Sequence, residues 1–116
     1  MPKNKTKSKG KGIPAEVQTQ VEESVADFNK RYFGGAEIRY FARIQGQYVY
    51  LDRDDYGSKG PICRLKYTGD FEKWDFAIFK FSSETYDPSE DFFPGSEEVD
   101  GTLEGAMIAG LKAYPV

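Results

Sequence analysis

The sequence predicts an α+β domain: a four-stranded antiparallel meander sheet with an N-terminal and a C-terminal helix packed on it, behind a disordered basic N-terminal tail. Three observations lead there. Apolar residues recur at helical spacing near both ends; between residues 37 and 82 the period changes to two; and the first 12 residues carry five lysines, no acid and little to bury.

In the tail, Lys3, Lys5, Lys7, Lys9 and Lys11 alternate with Asn4, Thr6, Ser8 and Gly10, and such a stretch cannot offset the entropy cost of ordering it. Residues 1–12 are therefore expected to be disordered, and 13–116 to form a single domain, since a 116-residue chain has material for one core. The first helix follows. Pro14 suits its first position, Glu16 complements the N-terminal dipole, and Val17, Val21, Val25, Phe28 and Tyr32 make one stripe that Gly34 and Gly35 end.

From Glu37, Ile38, Tyr40, Ala42 and Ile44 alternate with Arg39, Phe41 and Arg43 as in a strand, and Gln45-Gly46 is expected as its hairpin turn. That loop pairs 43 with 48, 41 with 50 and 39 with 52. One face is then apolar, adding Val49 and Leu51. The other sets Arg43 beside Tyr48, Phe41 beside Tyr50 and Arg39 beside Asp52, favourable cation–π, aromatic and ionic neighbours. Residues 52–61 are rich in turn formers and are expected as a solvated connection to a third strand at 62–68. A fourth strand covers 73–82. A four-residue loop at 69–72 pairs Tyr67 with Trp74, Leu65 with Phe76 and Cys63 with Ile78 on the core side, and opposes Lys66 to Asp75 on the other.

Segment 84–104 holds eight acids and no base, and Pro88, Pro94 and Gly95 punctuate it, so it reads as an extended loop into the last helix. Asp100 or Thr102 could cap that helix, and Leu103, Met107, Leu111 and Tyr114 would cover the sheet. Gly101, Gly105 and Gly110 weaken it, which makes it dependent on packing.

The composition restricts the chemistry. Histidine is absent, which removes Ser-His and Cys-His nucleophile pairs, and no spacing marks out a carboxylate, lysine or tyrosine for catalysis. A non-enzymatic protein without a cofactor is expected. The one cysteine, Cys63, has no partner for an intramolecular disulfide and lies in an apolar run, as a buried inert thiol would. Asp52, Asp54, Asp55 and Gly57 hint at a calcium loop. An EF-hand read from Asp52 puts Tyr56 and Cys63 at ligand positions, so no metal is expected. With neither a membrane-length apolar run nor a signal-peptide pattern, the chain reads as cytoplasmic with no membrane partner.

The net charge of -3 combines the lysine tail with a remainder in which 19 acids face 11 bases. Against that acidic background, the sheet face away from the core gathers Arg39, Phe41, Arg43, Tyr48, Tyr50, Arg64, Lys66, Phe79 and Phe81. Sheets that stack unpaired bases and neutralise phosphates use this mixture, although no RNA-recognition signature is present. A helix on each face would instead bury the rings as ordinary core, and Asp52 and Asp75 offset part of the charge. The first expectation is a non-catalytic interaction module that binds another macromolecule through this face or the acidic loop, with a homodimer as one form of it. The alternative is single-stranded nucleic-acid binding by the same face plus the tail. Phe92 and Phe93 suit either a docking motif for a basic partner or anchors for the acidic loop, the second being favoured.

The segments Arg-Ile-Gln-Gly-Gln-Tyr-Val-Tyr-Leu (43–51), Pro-Ile-Cys-Arg-Leu-Lys-Tyr (61–67) and Trp-Asp-Phe-Ala-Ile-Phe-Lys-Phe (74–81) give residues 25–114 a resemblance to a small bacterial family of uncharacterised proteins. The resemblance implies a helix, four-stranded meander, helix order and no catalytic or ligand residue. This chain lacks the histidine and the basic run associated with that family's fourth strand.

Overall fold

A computed structural model describes residues 12–116. Along the chain come α1 (Ala15–Phe33), β1 (Ile38–Gln45), β2 (Tyr48–Asp55), β3 (Ser58–Lys66), β4 (Asp75–Lys80), β5 (Thr85–Asp87), a 3-10 turn (Ser96–Glu98) and α2 (Leu103–Ala113). The strands form one antiparallel sheet in sequence order. The class is α+β, with five strands where the pattern gave four. The tail expected to be disordered lies, through residue 11, outside the described residues.

In α1, Val17, Val21, Val25 and Phe28 recur every three or four residues and are buried. Pro14 stands just before the helix, where its carbonyl accepts from Val17 and Gln18. Tyr32, placed on the buried stripe by spacing, is instead 45% exposed and stacks on the outer side of Phe28 at 4.0 Å. Gly34 stops the helix at φ +57, a region side chains with a Cβ disfavour.

The β1–β2 hairpin keeps the expected faces but not the expected register. Gln45 opposes Tyr48, so the loop is Gly46-Gln47, and each pairing moves by two: Arg43 faces Tyr50, Phe41 faces Asp52 and Arg39 faces Asp54. Glycine decides this. Gly46 takes φ +61 and Gln47 does not take positive φ, which is the hairpin turn with glycine at its first central position. A shift of two leaves parity unchanged, so Phe41 and Ile44 still lie on opposite faces.

The expected loop at 52–61 is mostly strand. β2 runs on to Asp55 and β3 begins at Ser58 around a two-residue turn in which Tyr56 and Gly57 both take positive φ, while Asp54 accepts from the Gly57 N–H. Around the turn itself Tyr56, Gly57, Ser58 and Lys59 are exposed. Pro61 is accommodated where the ladder slips by one residue between Leu51 and Asp52, since a bulge needs no N–H there. The β3–β4 pairs Cys63–Ile78, Leu65–Phe76 and Lys66–Asp75 form as the loop length required. β5, the strand missing from the sequence reading, pairs Phe79 with Tyr86 after a turn in which Glu84 takes φ +55.

Both helices pack on the same face. Tyr40 shows this at one position: its ring meets Phe28 of α1 edge-on at 5.7 Å, and its hydroxyl donates to the Met107 carbonyl of α2 at 2.7 Å. Its backbone N–H and C=O both bond the Asn29 amide, so α1 covers part of the exposed β1 edge. Thr102 is the helix cap of α2, accepting from the Gly105 N–H, and Asp100 in turn accepts from the Thr102 N–H and hydroxyl. Of the glycines expected only to weaken α2, Gly110 allows its close approach to the sheet. A Cβ on Gly110 would strike the Tyr40 hydroxyl and the Ile62 side chain. Tyr114, assigned to the helix stripe, lies just past its end and donates to the Phe79 carbonyl.

The core joins both helices to Tyr40, Val49, Leu51, Cys63, Leu65 and Ile78. Trp74 lies at one end beside Tyr67 and Phe71; its buried indole N–H makes no hydrogen bond, a cost of about 1–3 kcal/mol offset by ring packing.

A ring and cation face on the open side of the sheet

The outer face is built by strand alternation. β1 contributes Arg39, Phe41 and Arg43; β2 contributes Tyr48, Tyr50, Asp52 and Asp54; β3 contributes Lys59, Arg64 and Lys66; β4 contributes Asp75, Ala77 and Phe79; and β5 adds Tyr86. Among the described residues no helix lies over it, and Phe41, Tyr48, Tyr50, Phe79 and Tyr86 are each partly exposed. Eight of the nine residues expected on this face are on it. Phe81 lies past the end of β4, 56% exposed, with its ring edge-on to Phe79 and to Tyr114 beyond α2. Its position on the face needed β4 to continue to residue 82, but the chain turns after Lys80 to begin β5.

The rings form a connected row. Tyr48 and Tyr50 are 6.0 Å apart, Tyr50 and Tyr86 5.3 Å, and Tyr86 and Phe79 5.1 Å between centroids. Tyr50 and Tyr86 stand three strands apart, about 14 Å on a flat sheet, so they lean together across a curled surface. Ala77, between their strands, is 3% exposed despite facing away from the helices.

Cations lie on these rings. Arg64 is 4.6 Å from the Tyr48 centroid and 5.5 Å from that of Tyr86; Arg43 is 5.0 Å from Tyr50; Arg39 and Lys59 flank Phe41 at 5.7 and 5.8 Å. Each such contact is worth about 0.5–1 kcal/mol at an exposed site. Their larger effect here is to hold charged donors in place at the surface. Arg43 also pairs with Asp52 at 2.5 Å, which holds its guanidinium above its ordinary value. Burial, with Asp52 nearby, pushes the Tyr86 hydroxyl up, against the lowering effect of Arg43.

Lys59 and Tyr86 were missed. The sequence signal for Lys59 was the Tyr56-Gly57 pair, a two-residue turn that extends β3 back to Ser58. Tyr86 could be found only by recognising a three-residue strand inside the acidic segment.

Cys63 is fully buried, and desolvation raises its thiol away from the reactive thiolate. The aspartates of the calcium-like segment are separated by the pleat: Asp52 and Asp54 face outward, while Asp55 faces inward and pairs with Arg53. Among the described residues no three histidine, cysteine or acidic side chains could hold a metal ion, and no helix is long and apolar enough to cross a membrane. In the acidic segment the two phenylalanines divide: Phe93 stacks on Phe76 at 5.8 Å as a loop anchor, whereas Phe92 is 90% exposed.

Comparison with family models, with curated proteins and with solved structures finds no match to the chain.

Proposed function

We propose that the chain is a non-catalytic binding module that engages another macromolecule through the outer sheet face. The observation that carries this reading is the placement of both helices on one side, which leaves a connected ring row with held cations facing solvent. Partly exposed aromatics and arginines are the residue types that dominate binding energy at interfaces.

Two other occupations fit less well. A two-fold face-to-face homodimer would press a face with five bases, Arg39, Arg43, Lys59, Arg64 and Lys66, against Asp52, Asp54 and Asp75 alone as countercharges. The acidic segment spends Phe93 on its own sheet, which leaves Phe92 as its exposed ring.

The test is an amide chemical-shift titration of the labelled chain with three probes at low salt: a mixed-sequence single-stranded oligonucleotide, poly-glutamate, and unlabelled chain at rising concentration. At least one is expected to shift amides of β1, β2 and β3 around Phe41, Tyr50 and Arg64. Shifts confined to α1 and α2, or none with any probe, would remove the reading.

A further inference from the structure

We infer that a second site, separate from the outer sheet face, lies where β4 ends: a groove between that strand, the exit of α2 and the acidic loop, which takes an apolar side chain of a partner's peptide segment flanked by lysine or arginine. The groove has a volume of about 420 Å³, and Ile78, Phe81, Phe92, Phe93, Ala113 and Tyr114 supply its apolar walls. Ligand pockets span about 300–1,000 Å³, so it has room for a bulky side chain. Phe92 acts here as one wall of a groove on this chain, not as an anchor inserted into a partner.

The chain builds the groove by turning early. β4 stops at Lys80, which leaves Phe81 more than half exposed at the turn into β5. β5 ends at Asp87, and the loop that follows returns to α2 at Gly95, where a Cβ would lie 2.6 Å from the Ala109 carbonyl oxygen. Each wall is held in place. Lys80 pairs with Glu90 at 2.8 Å and with Asp87 at 3.7 Å, and Phe93 stacks on Phe76. Lys112 bonds Glu97 and Glu98, and the Tyr114 hydroxyl donates to the Phe79 carbonyl. A groove fixed in this way costs a ligand little ordering. Phe81 and the almost fully exposed Phe92 give it a contiguous apolar surface of the kind that marks interaction sites.

Charge selects the occupant. The β4–β5 turn, β5 and the loop bring Glu84, Asp87, Glu90 and Asp91, with Glu97 and Glu98 behind them. The bases on these elements are Lys80 and Lys112, and both are already paired. Beyond Phe81 and Tyr114, an adjoining cleft holds Arg53, which is paired with Asp55, and Lys59, whose ammonium lies over the outer-face ring of Phe41. The balance is acidic, and among the described residues Glu84 and Asp91 pair with no base. The C-terminal end of α2 adds the negative end of its dipole. A cation beside an apolar anchor meets both features of the groove, whereas a second copy of the chain would bring two acidic rims together.

The probe is a random dodecapeptide library displayed on phage and selected on the immobilised full chain, followed by anisotropy of the enriched sequences as fluorescein-labelled synthetic peptides. Enriched peptides are expected to share an aromatic or branched aliphatic residue with lysine or arginine within about three positions, and to bind more weakly as salt rises from about 50 to about 300 mM. Phe92→Ser should weaken binding by about tenfold. Glu84→Lys with Asp91→Lys should weaken it by about three- to tenfold. Melting temperatures should hardly move, because all three side chains are exposed. Lys66→Gln, on the outer face, should leave binding within about twofold.

No enrichment over the bare support, enriched peptides without a shared base, or binding that Phe92→Ser leaves unchanged would overturn the proposal. A loss on Lys66→Gln as large as that on Phe92→Ser would also overturn it, by moving the peptide to the sheet face. Self-association that Phe92→Ser abolishes would do the same by assigning the groove to a second copy.

Discussion

Arg53→Met is expected to cost about 3 kcal/mol of folding stability, a loss of roughly 15 °C in melting temperature for a domain of this size. Arg53 lies on the helix-covered face of β2 with its side chain 1% exposed. Its guanidinium forks onto Asp55 at 2.7 and 3.1 Å, and reaches the Gly110 carbonyl at 3.4 Å and the Tyr114 carbonyl. Those carbonyls belong to the last turn and exit of α2: the Gly110 carbonyl also accepts from the Tyr114 N–H, whereas the Tyr114 carbonyl lies past the end of the helix, beyond its N–H donors. Arg53 therefore acts as the C-terminal cap of α2. Methionine fills similar volume but removes the guanidinium donors of the part-buried Tyr114 carbonyl and of Asp55. Thermal melts of Arg53→Met and Arg53→Lys check this: lysine keeps the charge but loses the planar fork, so it should lie between wild type and methionine. A methionine variant as stable as wild type would show that α2 needs no such cap.

Phe28→Ala is expected to be at least as damaging, about 3–5 kcal/mol. Phe28 is fully buried and touches rings on three sides, Tyr32, Phe33 and Tyr40, making it the contact through which α1 grips β1. Natural domains have only about 5–15 kcal/mol in hand, so this variant should sit near its unfolding threshold at 37 °C. Chemical denaturation should show an earlier midpoint with an unchanged slope. A loss under about 1 kcal/mol, the midpoint shift multiplied by the slope, would mean that the stacked Tyr32 ring can swing in to fill the space.

Strand alternation was the most legible feature of the sequence. Because side chains alternate strictly, Phe41 and Ile44 were sorted to opposite faces even though the hairpin register was off by two; only an error of one residue exchanges faces. The β3–β4 pairing was readable for the same reason, with parity and loop length agreeing. Turn chemistry was harder. Gln45-Gly46 and Gly46-Gln47 are both two-residue loops, and the choice depends on which central position takes positive φ. The stretch from Asp52 to Pro61 looked like a loop because its residues form turns readily, yet Tyr56 and Gly57 complete the bend by themselves.

What decided the site was not local. Helical spacing could not say whether α2 covers the same face as α1, and that placement determines whether Tyr48 and Tyr50 are core or surface. It rests on long-range contacts: Tyr40 to Met107, Arg53 to Gly110, and the close packing that Gly110 allows. Arg53 itself appeared in sequence as part of a polar turn, and nothing nearby signals a buried guanidinium. Tyr86 was hidden because three residues are too few to show alternation.

Hydroxyl-radical footprinting of the free chain, read residue by residue, tests the openness of the outer face most directly. The predicted result is rapid oxidation of Phe41, Tyr48, Tyr50 and Tyr86, while Tyr40 and Phe28, between the sheet and the helices, stay protected. Protection of the four outer rings to the level of Tyr40, in dilute monomeric protein, would contradict it, because some other part of the chain would then have to cover them.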